Sequence, residues 1–256
     1  MGADAGAAVA MRVAVISDIH GNCVALEAVL EEIRRSAVDK IVCLGGTVQG
    51  GPQPAESIKT LRRLGCPIVM GNADAWLLKD KPDPGEPTSK EQLEVRDWTL
   101  SCLSSADLEF MRGFRPTLKV ELEGTRWLLC FHGSPLSYDD ALYPHTPKEE
   151  WERLLGPFAP AIMAGGHTHT QQLRRIREGF YFNPGSVGVA YDHYQPKATF
   201  HNDPWAEYVI FSYEEKRSNV QFLRANYDVT ELVRVIKASG RPHSDVMIGY
   251  YAPSSK

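Results

Sequence analysis

Four short segments of the chain carry side chains that commonly bind metal ions, and each segment follows an apolar run. They read DIHGN from residue 18, GNAD from residue 71, HGS from residue 132 and GGHTH from residue 165. Four of the eight histidines lie in these segments. Carboxylate oxygens and imidazole nitrogens together suit borderline divalent metals such as Mn, Fe, Co, Ni or Zn. The set therefore predicts a transition-metal site.

Each of these motifs is weak when it is taken singly. A lone Asp-x-His is most often a helix cap or a surface pair, and Gly-Asn is a turn in most proteins. Side chains two residues apart in an extended loop can, however, turn toward a common point, and adjacent glycines allow the bend. The combination of four such segments, all after apolar strands, is what favours a shared site over ordinary loop residues.

The elements that must position these residues are visible in the first third of the chain. Helical patterns begin at Asn22, a plausible N-cap, and at Pro54, and Gly65 ends the second of them. Short apolar runs before, between and after these two helices predict buried strands at residues 12–17, 40–44 and 67–70. Strands that alternate with helices indicate parallel βαβ units, whose loops meet at one edge of the sheet.

The second half of the chain has a different pattern. Residues 80–89 are rich in proline and glycine and predict a loop, and helical material follows from 90 to 114. Closely spaced strands then indicate an antiparallel or mixed sheet, and a helix from Asp228 ends near Gly240. We expect one α/β domain over 11–240, a flexible leader at 1–10 and a C-terminal tail at 241–256. The strand candidates are residues 117–122, 126–131, 161–164, 179–182, 207–212 and 219–224.

The bulk composition excludes several classes of protein. Of the 256 residues 43% are hydrophobic and 23% charged, and the formal net charge is −4. This balance gives no sign of nucleic-acid binding. No apolar run reaches the length of a membrane span, and the N-terminus is a poor signal peptide. Five cysteines without a CxxC pair indicate reduced, buried thiols in a cytoplasmic protein.

The ordered motifs closely resemble those of the calcineurin-like metallophosphoesterase family. That family carries D-x-H, G-D, G-N-x-[DE], a histidine after a strand, and G-H-x-H, in this order. The later segment NPGSVG from residue 183 is similar to one in the smaller bacterial phosphodiesterase branch. The resemblance implies a sandwich of two mixed β-sheets flanked by helices, which the pattern of strands alone does not predict.

The resemblance also implies two metal positions. The first position would be formed by Asp18, His20 and His169. The second position would be formed by Asn72, His132 and His167. The family bridges both metals with the aspartate of its G-D motif, but this chain has Gly46 there.

Loss of that carboxylate predicts weaker metal binding, above all at the second position, because Asn72 is neutral. Thr47 and Gln49 are nearby but cannot replace an anionic bridge. If the other ligands converge, an aspartate in place of Gly46 should restore occupancy of the second position.

The implied function is hydrolysis of a small-molecule phosphodiester, such as a nucleotide, by a water molecule that one or two divalent metal ions activate. Gly46 predicts that this activity is reduced. Two alternatives stay open. The chain could be a phosphomonoesterase, or it could be a scaffold that has lost catalysis, as the retromer subunit with this fold has. The other histidines are interpreted as surface or structural residues: His145, His193, His201 and His243.

Overall fold

The computed structural model describes residues 11–81, 88–122, 126–159 and 161–251. The predicted leader at 1–10 and most of the predicted loop at 80–89 lie outside these ranges. The strands are β1 Met11–Ile16, β2 Lys40–Cys43, β3 Leu118–Glu121, β4 Trp127–Cys130, β5 Ile162–Ala164, β6 Gln172–Ile176, β7 Gly179–Asn183, β8 Trp205–Glu214 and β9 Arg217–Asn226. The α-helices are α1 Cys23–Arg34, α2 Pro54–Leu64, α3 Asn72–Leu78, α4 Lys90–Cys102, α5 Ser105–Arg112, α6 Lys148–Leu155, α7 Val229–Ala238 and α8 Ser244–Gly249.

The strands form two mixed sheets, which confirms the fold that the resemblance implied. One sheet has the order β2-β1-β8-β9, and the other has the order β3-β4-β5-β7-β6. Strands β1 and β2 pair in parallel, as the βαβ pattern predicted, and β8 runs antiparallel to β1. In the second sheet β5 lies parallel to both β4 and β7.

Alternation along β1 shows how the layers are packed. Val13 and Val15 face the second sheet, where they pack with Leu128 and Phe182 in a core between the two sheets. Ala14 and Ile16 face the opposite way and pack with the apolar sides of α1 and α2. A third core lies between the outer face of the second sheet and α6. The β1 strand is thus buried on both faces, as its continuous apolar run predicted.

Local sequence signals set the ends of several helices. The Asn22 side chain accepts a hydrogen bond from the Ala25 amide and caps α1. Gly65 ends α2 in the left-handed conformation. The Asp228 side chain caps α7 through the Glu231 amide. The three predicted boundaries at these residues are confirmed.

Other elements differ from the sequence-based prediction. Residues 67–70 were predicted as a strand but form only two isolated bridges. Ile68 pairs with Cys43, and Val69 pairs with Arg115. The helical stretch from 90 to 114 is two helices, since Ser104 caps a second one through the Asp107 amide. Strand β6 and helix α6 were not predicted.

The segment predicted as a tail contains the short helix α8. Its Met247 packs on Leu232 and Ile236 of α7. The domain boundary at residue 240 stays a prediction.

All five cysteines are free, and Cys66 and Cys102 are only partly buried. Within the described ranges, no helix is both long and apolar enough to cross a membrane.

Candidate metal centre

The four motif segments meet at one edge of the sandwich, where backbone hydrogen bonds join their loops. The Asp18 amide donates to the Gly45 carbonyl, and the Gly166 amide donates to the His132 carbonyl. The Gly188 amide in turn donates to the Asp18 carbonyl. Loops that follow β1, β2, β4, β5 and β7 are therefore fastened into one rigid unit.

Backbone strain is concentrated in this unit. Asp18, His20, His167 and His169 all have positive φ angles, between 48° and 69°. They are four of the nine non-glycine residues with positive φ among the described residues. Such conformations cost about 1–3 kcal/mol each and persist where the surroundings impose them, often at functional sites.

Asp18, His20 and His169 form a group that could hold a metal ion, with their ligand atoms within 4.8 Å of one another. The Asp18 Oδ1 atom lies 3.6 Å from His20 Nε2 and 3.4 Å from His169 Nε2. The two imidazole Nε2 atoms are 3.1 Å apart. The structure thus brings together all three residues predicted for the first position.

The imidazoles of this group are oriented by backbone carbonyls. His20 Nδ1 lies 2.8 Å from the Gln49 carbonyl, and His169 Nδ1 lies 2.9 Å from the Val189 carbonyl. A carbonyl only accepts hydrogen bonds, so each Nδ1 carries a proton, and in the neutral form of each ring Nε2 then presents a lone pair. Two lone pairs that face each other at 3.1 Å repel unless a cation lies between them. This arrangement fits a divalent metal.

Asn72 and His132 form a second pair of facing acceptors. His132 Nδ1 lies 2.7 Å from the Leu44 carbonyl, and its Nε2 lies 3.0 Å from Asn72 Oδ1. The His167 ring lies edge-on to that of His132, with the ring centroids 5.1 Å apart. Burial, reinforced by His132, lowers the pKa of His167 to about 4, so this imidazole is neutral at physiological pH. The three residues predicted for the second position are therefore neighbours.

Asp18 lies between the two groups. Its Oδ1 is 3.9 Å from His132 Nε2, only slightly farther than from the imidazoles of the first group. Its Oδ2 accepts hydrogen bonds from the Ser17 hydroxyl and the His167 amide. Burial alone would raise the pKa of Asp18, but the neighbouring imidazoles of His169, His132 and His20 hold it well below its usual value. The carboxylate is ionised and accessible to both groups.

The structure gives a steric reason for a glycine at position 46, namely contact with Asp18, which the sequence did not indicate. Its φ is +68°, and a Cβ atom there would lie 2.5 Å from Asp18 Oδ1 and 2.9 Å from Asp18 Cα. The Asp18 carboxylate therefore occupies the space into which a side chain at position 46 would project. The expectation that an aspartate here would restore a bridge does not fit this geometry, because the new side chain would collide with Asp18.

Asp74 fixes the glycine loop from the other side. Its buried carboxylate accepts hydrogen bonds from the amides of Gly46, Thr47 and Gly71 and from the Thr47 hydroxyl. The side chain is thus used to cap α3 and to join two loops. Thr47 is turned toward Asp74, away from the facing acceptors.

Sequence reasoning missed the groups that orient the imidazoles, because backbone carbonyls leave no trace in residue type. Asn183 and Ser186 support the site differently, through side-chain hydrogen bonds to the backbone of the ligand loops. Asn183 Nδ2 donates to the Gly166 carbonyl, and the Ser186 hydroxyl donates to the Asp18 carbonyl. Both side chains are buried, so they hold the ligand loops in place.

Comparison with known proteins shows the family to which this fold belongs. The model of the calcineurin-like phosphoesterase superfamily domain matches residues 11–203. The chain belongs to this superfamily. Its fold matches the crystal structure of a metallophosphoesterase from Sphaerobacter thermophilus with a TM-score of 0.70 and 25% identity, covering 95% of this chain and 100% of that one.

Two relatives were found by sequence. The uncharacterized protein MJ0912 of Methanocaldococcus jannaschii is 27% identical, with 90% of this chain and 93% of the relative covered. A symmetrical bis(5'-nucleosyl)-tetraphosphatase of Thioalkalivibrio sulfidiphilus is 26% identical over 60% of this chain and 56% of that protein. Within its described residues, this superfamily member thus brings both groups of candidate ligands together, with Gly46 at the position where the resemblance implied an aspartate.

Proposed function

We propose that the protein is a phosphodiesterase that depends on one or two divalent transition-metal ions, such as Mn, Fe, Ni, Co or Zn. Its substrate is a small-molecule phosphoester. Asp18, His20 and His169 would hold the first metal, and Asn72, His132 and His167 would hold the second. When bound, a divalent metal supplies Lewis acidity and lowers the pKa of a water molecule that attacks phosphorus.

The observation that carries this proposal is the pair of facing acceptors on either side of Asp18. The Nε2 atoms of His20 and His169 lie 3.1 Å apart, and His132 Nε2 lies 3.0 Å from Asn72 Oδ1. Two such contacts beside one buried carboxylate are costly in a protein that binds no cation. Three protein donors at each position leave coordination sites free for water and substrate.

The chain's own residues have distinct tasks in this reaction. Asp18 supplies the negative charge that both metal positions share, since no aspartate stands at position 46. His167, neutral because of its lowered pKa, is ready to bind without first losing a proton. The carbonyls of Gln49, Val189 and Leu44 keep the imidazoles in the tautomer that binding needs.

A phosphodiester is preferred over a phosphomonoester because of the resemblance of NPGSVG to the smaller bacterial branch. The relative named as a bis(5'-nucleosyl)-tetraphosphatase supports nucleotides as the substrate class, although it aligns with only part of this chain.

The test combines metal analysis with hydrolysis. Protein purified in metal-supplemented buffer and dialysed should retain a transition metal, and with Mn it should hydrolyse bis(p-nitrophenyl) phosphate faster than p-nitrophenyl phosphate. His20→Ala should lose both properties. His201→Ala is the matched control, since His201 is exposed and bonds only within its own loop.

The rival proposal is a scaffold without catalysis, which the glycine at position 46 favours. Absence of bound metal and of hydrolysis of either ester, in protein that melts cooperatively, would support the scaffold. Metal retention with faster hydrolysis of the monoester would favour a phosphomonoesterase.

A further inference from the structure

A cavity of about 410 Å³ opens directly beside the first group of candidate ligands. His20 and His169 line it, together with apolar side chains of α4 and α8. The volume lies in the range of small-molecule sites. The apolar lining residues are Val95, Val189, Val246, Met247 and Tyr250.

Arg241 brings a positive charge to this cavity. Its Nε donates to the Gly50 carbonyl and its Nη1 to the Pro242 carbonyl, so the guanidinium is held in place by neutral groups. Among the described residues, no carboxylate forms an ion pair with Arg241. A partly buried guanidinium without an anion is a ready partner for a phosphate or carboxylate of a ligand.

Other charged groups near the cavity do not neutralise this arginine. His243 is paired with Glu94, at 2.8 Å. Glu91 also lines the cavity, but its side chain is exposed at the rim. The partly buried positive charge near the candidate metal centre is therefore that of Arg241.

Polar atoms for recognition are also present. Gln49 Oε1 and Asn202 Oδ1, both on lining residues, are buried and accept no hydrogen bond from the described residues. Buried acceptors without a donor are costly.

We propose that this cavity binds the part of the substrate beyond the cleaved phosphate, and that this part carries a flat ring and a second phosphate held by Arg241. The inference rests on the proposed function for the position of the cleaved phosphate. Residues 241–250 line one side of the cavity and lie outside the matched family model, which ends at residue 203. The C-terminal segment would therefore contribute to the selectivity of the site.

Ligand binding to chelator-treated protein separates this proposal from catalysis. ADP joins a flat ring to two phosphates, adenosine has the ring alone, and pyrophosphate has the phosphates alone. Calorimetry should show ADP binding at least tenfold more tightly than either fragment. Arg241→Gln should weaken ADP binding at least tenfold and leave adenosine binding unchanged, while Arg241→Lys should retain most of the affinity.

Two control pairs sharpen the result. Arg234→Gln removes an exposed arginine of α7 that pairs with Glu231 and lies outside the cavity lining, so it should leave ADP binding unchanged. Val246→Glu places a negative charge in the lining and should weaken ADP binding, whereas the neutral Val246→Gln should do so much less. Thermal melting of each variant shows whether it is folded.

Unchanged ADP affinity in Arg241→Gln, or ADP binding no tighter than pyrophosphate, would overturn the proposal. Equal loss in Arg241→Gln and Arg241→Lys, with a lower melting temperature in both, would show that the arginine only fastens Gly50 and would overturn it as well. Hydrolysis of bis(p-nitrophenyl) phosphate reports separately on the proposed function. An active enzyme that fails to bind ADP would reject the cavity alone.

Discussion

The two halves of the candidate metal centre have similar imidazoles but very different charge. The first half, Asp18 with His20 and His169, combines a buried carboxylate with two Nε2 atoms at 3.4 and 3.6 Å from it. The second half replaces the carboxylate with the neutral amide of Asn72. Its nearest anionic atom among the described ion pairs is Asp18 Oδ1, 3.9 Å from His132 Nε2. The second half therefore depends on the carboxylate of the first.

This dependence has a physical consequence for metal binding. Two divalent cations about 4 Å apart repel each other strongly, and a shared anion offsets the repulsion. The other buried carboxylate nearby, that of Asp74, is fully used by backbone amides and the Thr47 hydroxyl. We expect the first position to fill at lower metal concentration than the second.

The largest expected effect is that of Asp18→Asn, which removes the shared charge. Metal affinity should fall at least ~100-fold at both positions, because each loses its anionic donor. Metal analysis after equilibrium dialysis measures this. Asp74→Asn is the matched control: it should lower the free energy of unfolding by about 1–3 kcal/mol but keep the first metal. Two metals retained by Asp18→Asn would refute the idea of a shared carboxylate.

Loss of one imidazole from each half should separate the two positions. His20→Ala should empty the first position, whereas His167→Ala should leave one metal bound per chain and weaken the second at least ~10-fold. A calorimetric titration of each metal-free variant with Mn gives the number of metal ions bound per chain. His201→Ala should behave as the wild type. Equal losses in both variants would mean that the halves do not fill independently.

The sequence could predict the ligand set but not the shared role of Asp18. The order of the motifs and the apolar runs that precede them are properties of residue type. The family resemblance that they carry implied that Asp18, His20 and His169 share one position. The 3.9 Å approach of Asp18 to His132 results from packing of β1 against the second sheet. Periodicity carries no information about such a distance.

Errors in the predicted elements have similar causes. Strand β6 was missed because Arg174 and Arg175 interrupt its apolar pattern, although it pairs along its whole length with β7. Residues 67–70 read as a strand since they are apolar, yet they pair only at isolated bridges. The place of Arg241 in the cavity lining was not predicted, because a polar residue after a helix stop usually belongs to a surface tail.

Substitutions at Gly46 test whether the Asp18 side chain occupies the space that a side chain at position 46 would need. Gly46→Ala should lower the free energy of unfolding by about 2–3 kcal/mol, from a positive φ together with contact with Asp18. Gly65→Ala is the matched control, since Gly65 has a φ of +64° but no atom within 4 Å of a Cβ. It should lose only about 1 kcal/mol. Gly46→Asp should be at least as unstable as Gly46→Ala and bind less metal; a gain of metal would contradict the geometry.

The smallest expected effect is that of Asn72→Asp, which gives the second half a carboxylate of its own. The side chains have the same shape, and Asn72 is only half-buried, so the fold should tolerate the charge. Affinity for the second metal should rise about threefold to tenfold, which corresponds to about 0.7–1.4 kcal/mol. Competition with a coloured chelator measures the change, and Asn72→Ala should shift the affinity in the opposite direction. If Asn72→Asp leaves the second affinity unchanged while His167→Ala lowers it, the limit on the second half lies in its geometry and not in its charge.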